Sequence, residues 1–311
     1  MRILILGAGG TGGYFGGRLL EAGCDVTFLV RPARAARLRA EGLVIRSPLG
    51  DARLTAPVIE TSALNPDYDL VLLSCKAYDL DDAMQTIAPA MRRPGVTLLP
   101  LLNGMKHFDT LDAAFGAPQM LGGLCHISVT LNAAGEIEHF NKLQTLTFGE
   151  REATAPPERC DRIAAAFARA TFDSRRSTNV LSDLWEKFAF MAAGASLTCL
   201  MRANVGNIVA TPEGERVARQ LVEECQAIAR AAGYPVSEKG AGFAAHMLTS
   251  PKSPFKASML RDIEGGRRVE ADHLVGDMLR RGRELVQPVV LLETALGHLL
   301  AYERSAGFRT D

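Results

Sequence analysis

The chain has 311 residues, enough for two domains, and its 35 Lys plus Arg balance 35 Asp plus Glu, so no overall field draws it to nucleic acid or an anionic membrane. The six cysteines (Cys24, Cys75, Cys125, Cys160, Cys199 and Cys225) are scattered with no Cys-x-x-Cys or Cys/His cluster, and that spacing offers neither a metal site nor an evident disulfide framework. No basic-then-apolar leader precedes the first strand, and the longest apolar stretch, Phe188 to Met201, is too short to span a bilayer, so a cytoplasmic protein is expected.

An apolar strand over 2–6 runs into Gly7-Ala8-Gly9-Gly10-Thr11-Gly12, a Gly-x-Gly-x-x-Gly turn that opens a helix over 10–22, and a second strand over 25–30 completes a βαβ unit. In that geometry Gly7 makes the tight turn, Gly9 lets the backbone approach a pyrophosphate, and Gly12 allows close helix–strand packing. The helix N-terminus, with Gly10 and Thr11, receives the phosphate charge. An NAD site places an acid at the end of the second strand. This chain has Arg31-Pro32-Ala33-Arg34 there instead. Arg31 is placed to take the 2′-phosphate of NADP, although both arginines could equally solvate a surface turn.

Alternation continues to about Arg175, with strands expected over 43–46, 69–74, 96–101, 120–130, 136–140 and 143–148 and helices over 33–41, 80–91, 107–115 and 157–170. Continuous apolar runs such as Leu70 to Leu73 fit a parallel strand covered on both faces, so residues 1–177 read as a doubly wound α/β domain, with an antiparallel hairpin near Asn132, Gly135 and Asn141. Residues 178–311 read as an all-helical domain, with helices over 179–202, 211–232, 239–248, 255–263, 269–284 and 289–305. A cleft beside the nucleotide domain is the expected place for substrate.

Lys187 has Leu184, Phe190, Met191, Gly194 and Ala195 as its helical neighbours, so it is expected to face inward. It could then have an anionic partner or a lowered pKa, as a proton donor needs, or it could snorkel to water. Ser258 and Asp262 lie one helical turn apart, and Gly265-Gly266 breaks the chain so that Glu270 is expected in the first turn of the next helix. These groups either converge on a pocket or are the solvated charges of a capped helix–turn–helix. Asn103 and Lys76 follow strands whose carboxyl ends face the ligand crevice of an open sheet; Asn103 could also merely shape a turn. His126, His139 and His246 are isolated and read as structural or surface residues.

With these residues in view, the chain resembles the ketopantoate reductase (2-dehydropantoate 2-reductase) family over nearly its whole length. The matching features are Gly7-x-Gly9-x-x-Gly12, Arg31, Lys76, Asn103-Gly104, Trp185-Glu186-Lys187, Leu197-Thr198, Ser258-x-x-x-Asp262 and Gly266-Arg267-x-x-Glu270. The resemblance implies a Rossmann domain, a helical domain and NADPH-dependent reduction of a 2-keto acid, with ketopantoate placing it in pantothenate biosynthesis. It implies Lys187 as general acid, Glu270 as its assistant, Asn103, Ser258 and Asp262 toward substrate, and Lys76 and Asn103 near the cofactor. No metal is implied. The expected partner is a small keto acid rather than nucleic acid or membrane, with a homodimer as the candidate assembly. The chain departs from the family pattern at Met191, Ala195, Val205 and Val269, where the family has polar residues. Rival readings are an NADPH-binding redox sensor, which would need neither Lys187 nor Glu270, and a reductase for a different carbonyl.

Overall fold

Ile3, Leu4 and Ile5 are fully buried. Ile3 and Ile5 join one hydrophobic cluster and Leu4 another, because successive strand side chains point to opposite faces. That is the environment of a central parallel strand. The computed structural model describes residues 1–152 and 155–308, and the chain divides into one unit of Met1–Leu102 and Asp109–Val180 and another of Asn103–Phe108 and Leu181–Asp311.

The first unit begins β1 (Arg2–Leu6), α1 (Gly10–Glu21), β2 (Asp25–Leu29), α2 (Pro32–Glu41), β3 (Leu43–Arg46), β4 (Ala52–Leu54) and β5 (Val58–Ile59). It continues with β6 (Leu70–Leu73), α3 (Leu80–Met91), β7 (Thr97–Pro100), α4 (Lys106–Phe115, whose start up to Phe108 goes with the second unit), β8 (Gly122–Leu131), β9 (Ile137–Gly149), α5 (Glu158–Phe167) and β10 (Asp173–Arg176). The expected parallel sheet is present, in the order β5-β2-β1-β6-β7. Leu6 pairs with Leu29 on one side and Leu73 on the other, so the carboxyl ends of β1, β2 and β6 lie in one row.

The strand at 43–46 does not join that sheet. It enters a second one of order β10-β9-β3-β4, with β8 also on β9. Leu43 and Ile45 are fully buried and belong to the same core cluster as Phe15, Leu19 and Phe28, so α1 is covered by both sheets. Each such large apolar side chain contributes about 1.5–3 kcal/mol when removed from water. The expected hairpin forms between β8 and β9, antiparallel with an irregularity between Ile127 and Val129. Asn141 does not end a strand as expected. Its side chain accepts from Leu143 N at 3.0 Å while β9 runs on through it as one strand of 13 residues.

The second unit holds α6 (Val180–Met201), α7 (Val205–Val209), α8 (Pro212–Ala231), α9 (Glu238–Thr249), α10 (Ser258–Glu264), α11 (Asp277–Glu284) and α12 (Val290–Ser305). Ala192 to Cys199 are buried at every position, as expected of a helix apolar on all sides. Thr211 and Ser237 cap α8 and α9, each accepting from the backbone N–H three residues on, at 3.1 and 3.0 Å. Glu224, 3% exposed, accepts from Leu291 N and Leu292 N at 3.1 Å each and so satisfies the start of α12. The helix expected over 269–284 begins instead with a π-helical turn, Asp272–Gly276. Glu270 consequently lies just before the helix rather than in its first turn, with its carbonyl accepting from Leu274 N at 3.1 Å. Among the described residues no helix is long and apolar enough to cross a membrane.

Candidate active site

The turn after β1 has the geometry that a dinucleotide phosphate group requires. Gly7 has φ +86°, a left-handed conformation that side chains disfavour. Gly9 is the N-cap of α1 and provides no side-chain cap, and a Cβ built on it would have nothing within 4 Å. The helix start is therefore open to an anion, to which its backbone N–H groups and dipole are attracted. Gly12 is the opposite case: a Cβ there would lie 2.2 Å from Ser74 Oγ and 2.7 Å from Gly7 O. Gly10 is held beneath β8, with Val129 O at 3.2 Å from its would-be Cβ, and Thr11 is half-buried on the first turn. These features fit a bound pyrophosphate.

The two arginines after β2 separate into different jobs. Arg34 is half-buried and donates to Ala8 O and Gly135 O, both at 2.9 Å. It braces the glycine turn against the β8–β9 hairpin, and burial lowers its pKa. Arg31 is the N-cap residue of α2, with its side chain 72% exposed, and its Nη2 donates to Asp82 Oδ2 at 2.8 Å and reaches Asp79 Oδ1 at 3.4 Å. Sequence spacing gives no sign of these carboxylates, of which Asp79 precedes α3 and Asp82 lies in its first turn. Lys76, half-buried, stands at the end of β6 as the N-cap of the turn Ala77–Asp79.

The other candidate residues fall in the second unit. Lys187 is half-buried on α6 rather than fully inward. Its two predecessors fix that helix's rotation. Trp185 stacks on Tyr234 at 5.8 Å and 11° and lies 5.5 Å from the Arg281 guanidinium. Glu186 accepts from Ser237 Oγ at 2.6 Å and Ser237 N at 3.0 Å, so it belongs to the α9 cap and not to a reactive pair. Ser258 opens α10 and is half-buried. Asp262, one turn on, accepts from Arg267 Nε at 2.9 Å across the Gly265-Gly266 turn. Glu270 and Asn103 are both half-buried. Ala195, Val205 and Val269 are 1%, 0% and 2% exposed, whereas Met191 is half-buried.

Asn103 reaches this unit through its own segment. Gly104 has φ +81° and its would-be Cβ lies 3.2 Å from His273 O. His107 stacks on His273, with centroids 5.5 Å apart and planes at 22°. Burial lowers the pKa of the His273 imidazole, which also hydrogen-bonds the Asn103 backbone. Neither histidine stood out in the sequence. Among the described residues no group of three His, Cys, Asp or Glu could hold a metal ion.

The sequence pattern described as "Ketopantoate reductase PanE/ApbA" matches residues 3–153, and its C-terminal counterpart matches residues 179–303. An uncharacterized oxidoreductase, YkpB of Bacillus subtilis, is 37% identical over 97% of this chain and 99% of its own length. A 2-dehydropantoate 2-reductase of Halobacterium salinarum is 29% identical over 93% and 95%. The crystal structure of a PanE/ApbA family ketopantoate reductase from Ralstonia eutropha superimposes with a TM-score of 0.87 at 28% identity, covering 99% of this chain and 100% of that one.

Proposed function

The chain belongs to the ketopantoate reductase family, and we propose that it uses NADPH to reduce a 2-keto acid to the 2-hydroxy acid. When bound, the reduced nicotinamide supplies a hydride to the carbonyl carbon. Lys187 gives a proton to the carbonyl oxygen, so that no alkoxide has to be released into the site. Hydride plus proton account for the two hydrogens of the product. Glu270 assists Lys187 in that step. The Asn103 amide and the Ser258 hydroxyl hold the substrate, with Asp262 on the same face of α10. Gly7, Gly9, Gly10, Thr11 and Gly12 receive the pyrophosphate, Arg31 the 2′-phosphate, and Lys76 lies toward the cofactor.

The observation that supports this reading best is the grouping of Asn103, Lys187, Ser258, Asp262 and Glu270 in one compact unit, to which the Asn103 segment is attached although it leaves the sheet after β7. A nicotinamide drawn from the cell's own pool favours a cytoplasmic enzyme. The substrate in this reading is ketopantoate or a related 2-keto acid with a more apolar branch, the second being favoured. Met191, half-buried, stands where the family has a polar partner, and a site rejects a hydroxyl that it cannot pair. NADPH oxidation measured over a panel of 2-keto acids, with ketopantoate and 2-ketoisovalerate included, tests this. Turnover that is faster with the apolar branched acid is expected. NADPH binding without turnover on any acid would instead leave the sensor reading standing.

A further inference from the structure

The end of β2 is where an adenosine ribose lies in a dinucleotide fold, and the group waiting there sets which cofactor is used. Read along the chain, that position holds a base and no acid. In space it holds both. Arg31 is tied to Asp82 at 2.8 Å and to Asp79 at 3.4 Å, residues 51 and 48 positions away in sequence. Asp82 is in the first turn of α3, where a carboxylate is also favoured by the helix dipole. Both contacts use Nη2 alone, while a guanidinium has five N–H donors. The cation is thus shared out and not consumed. All three side chains are well exposed, at 72%, 40% and 64%, so each can turn toward a ligand.

We infer that Arg31, Asp79 and Asp82 form a single two-way ribose site, which admits NADH as well as NADPH, and in which Asp82 limits the preference for NADPH. The inference rests on the dinucleotide reading above and deepens it. A 2′-phosphate takes the donors of Arg31 that the carboxylates leave unused, but it brings a second anion beside Asp82. A 2′-hydroxyl has no charge to repel and donates to a carboxylate, as the acid of an ordinary NAD site accepts. The Asp82 carboxylate therefore works against one cofactor and for the other.

Calorimetric titration of the intact protein with NADPH, NADH and the fragment 2′,5′-ADP tests this without relying on turnover. The wild type is expected to bind both dinucleotides, NADPH about tenfold tighter. Asp82→Asn removes one solvent-screened repulsion, so NADPH and 2′,5′-ADP should tighten by about fivefold while NADH does not. Arg31→Ala should weaken NADPH at least tenfold and leave NADH nearly unchanged, since charge-assisted bonds to the phosphate are lost. Added salt should shrink the Asp82→Asn gain. An NADPH-to-NADH ratio unmoved by Asp82→Asn, or a wild type that ignores NADH, overturns the two-way site while leaving the dinucleotide reading intact. A wild type that binds neither dinucleotide overturns both.

Discussion

Lys106 donates its ammonium to the Asp272 carboxylate, and the other oxygen of that carboxylate accepts from Arg280 at 2.6 Å. The first residue belongs to the segment that carries Asn103. The second stands two positions after Glu270, in the π-helical turn. Together with the His107–His273 stack, this ion pair explains why residues 103–108 go with the helical unit.

Asp272 has a depressed pKa. Burial pushes it up, but hydrogen bonds from Lys106 and Arg280 outweigh that and hold it below the ordinary value of 3.8. A carboxyl whose folded pKa lies below its unfolded one stabilises the fold above the unfolded value and loses that contribution as pH falls through the folded one. Asp272→Asn should therefore cost about 1 kcal/mol at neutral pH, after allowance for solvent screening. The gap to wild type should close below about pH 4, the range of an unfolded aspartate. Urea melts across this pH range check it. Hydrogen exchange should also quicken over residues 103–108.

Two glycines of the same turn should respond in opposite ways. Gly9→Ala meets nothing within 4 Å, so its melting temperature should stay near wild type while NADPH affinity falls, because the methyl occupies the phosphate approach. Gly12→Ala collides with Ser74 Oγ at 2.2 Å and Gly7 O at 2.7 Å. Overpacking of that kind costs typically about 1–3 kcal/mol. Thermal melts and cofactor titrations on both variants separate the two outcomes.

Lys187→Ala should lower kcat by about 10²–10⁴, the usual loss for a general acid, with the Kd for NADPH near wild type. Trp185 and Glu186 keep α6 oriented through their own contacts, so the variant should melt with the wild type. A kcat within about threefold of wild type would remove Lys187 from the proposed chemistry.

Substrate choice is best tested at Met191. Ala195 shares its helix face but is 1% exposed, leaving no room for an amide, whereas Met191 is half-buried. Met191→Asn should raise kcat/KM for ketopantoate relative to 2-ketoisovalerate by about tenfold, the worth of pairing one buried hydroxyl. A wild type already selective for ketopantoate would show that other groups supply those bonds.

The βαβ start, the parallel strands and the helical second half were legible because each has a local signature: Gly7 to Gly12, the apolar run Leu70–Leu73, and the apolar stretch of α6. The second sheet was not. Leu43 to Arg46 looks like any next strand, and nothing local says which sheet will accept it. The polar run Asp173–Arg176 gave no strand signal, since three of its four residues are exposed at a sheet end. Among the candidate residues, Arg31 is conspicuous from its place after β2, but its partners Asp79 and Asp82 are not, since pairings over that separation leave no pattern. Arg34 looked like a second surface arginine; only the fold brings Ala8 O and Gly135 O to it.

Helix α1 has one more consequence. A Cβ on Gly16 would come within 2.8 Å of Phe28, one on Gly17 within 2.8 Å of Ile45, and one on Gly13 within 2.5 Å of Ile137. The helix is bare toward both sheets, so backbone rests against side chains from each and there is no slack in which it could slide. On the proposed dinucleotide reading, an arriving cofactor is expected to meet its anchoring point already set. Loading should follow simple bimolecular kinetics, its rate rising linearly with cofactor concentration, and the lifetime of the complex rather than its formation should distinguish one nucleotide from another.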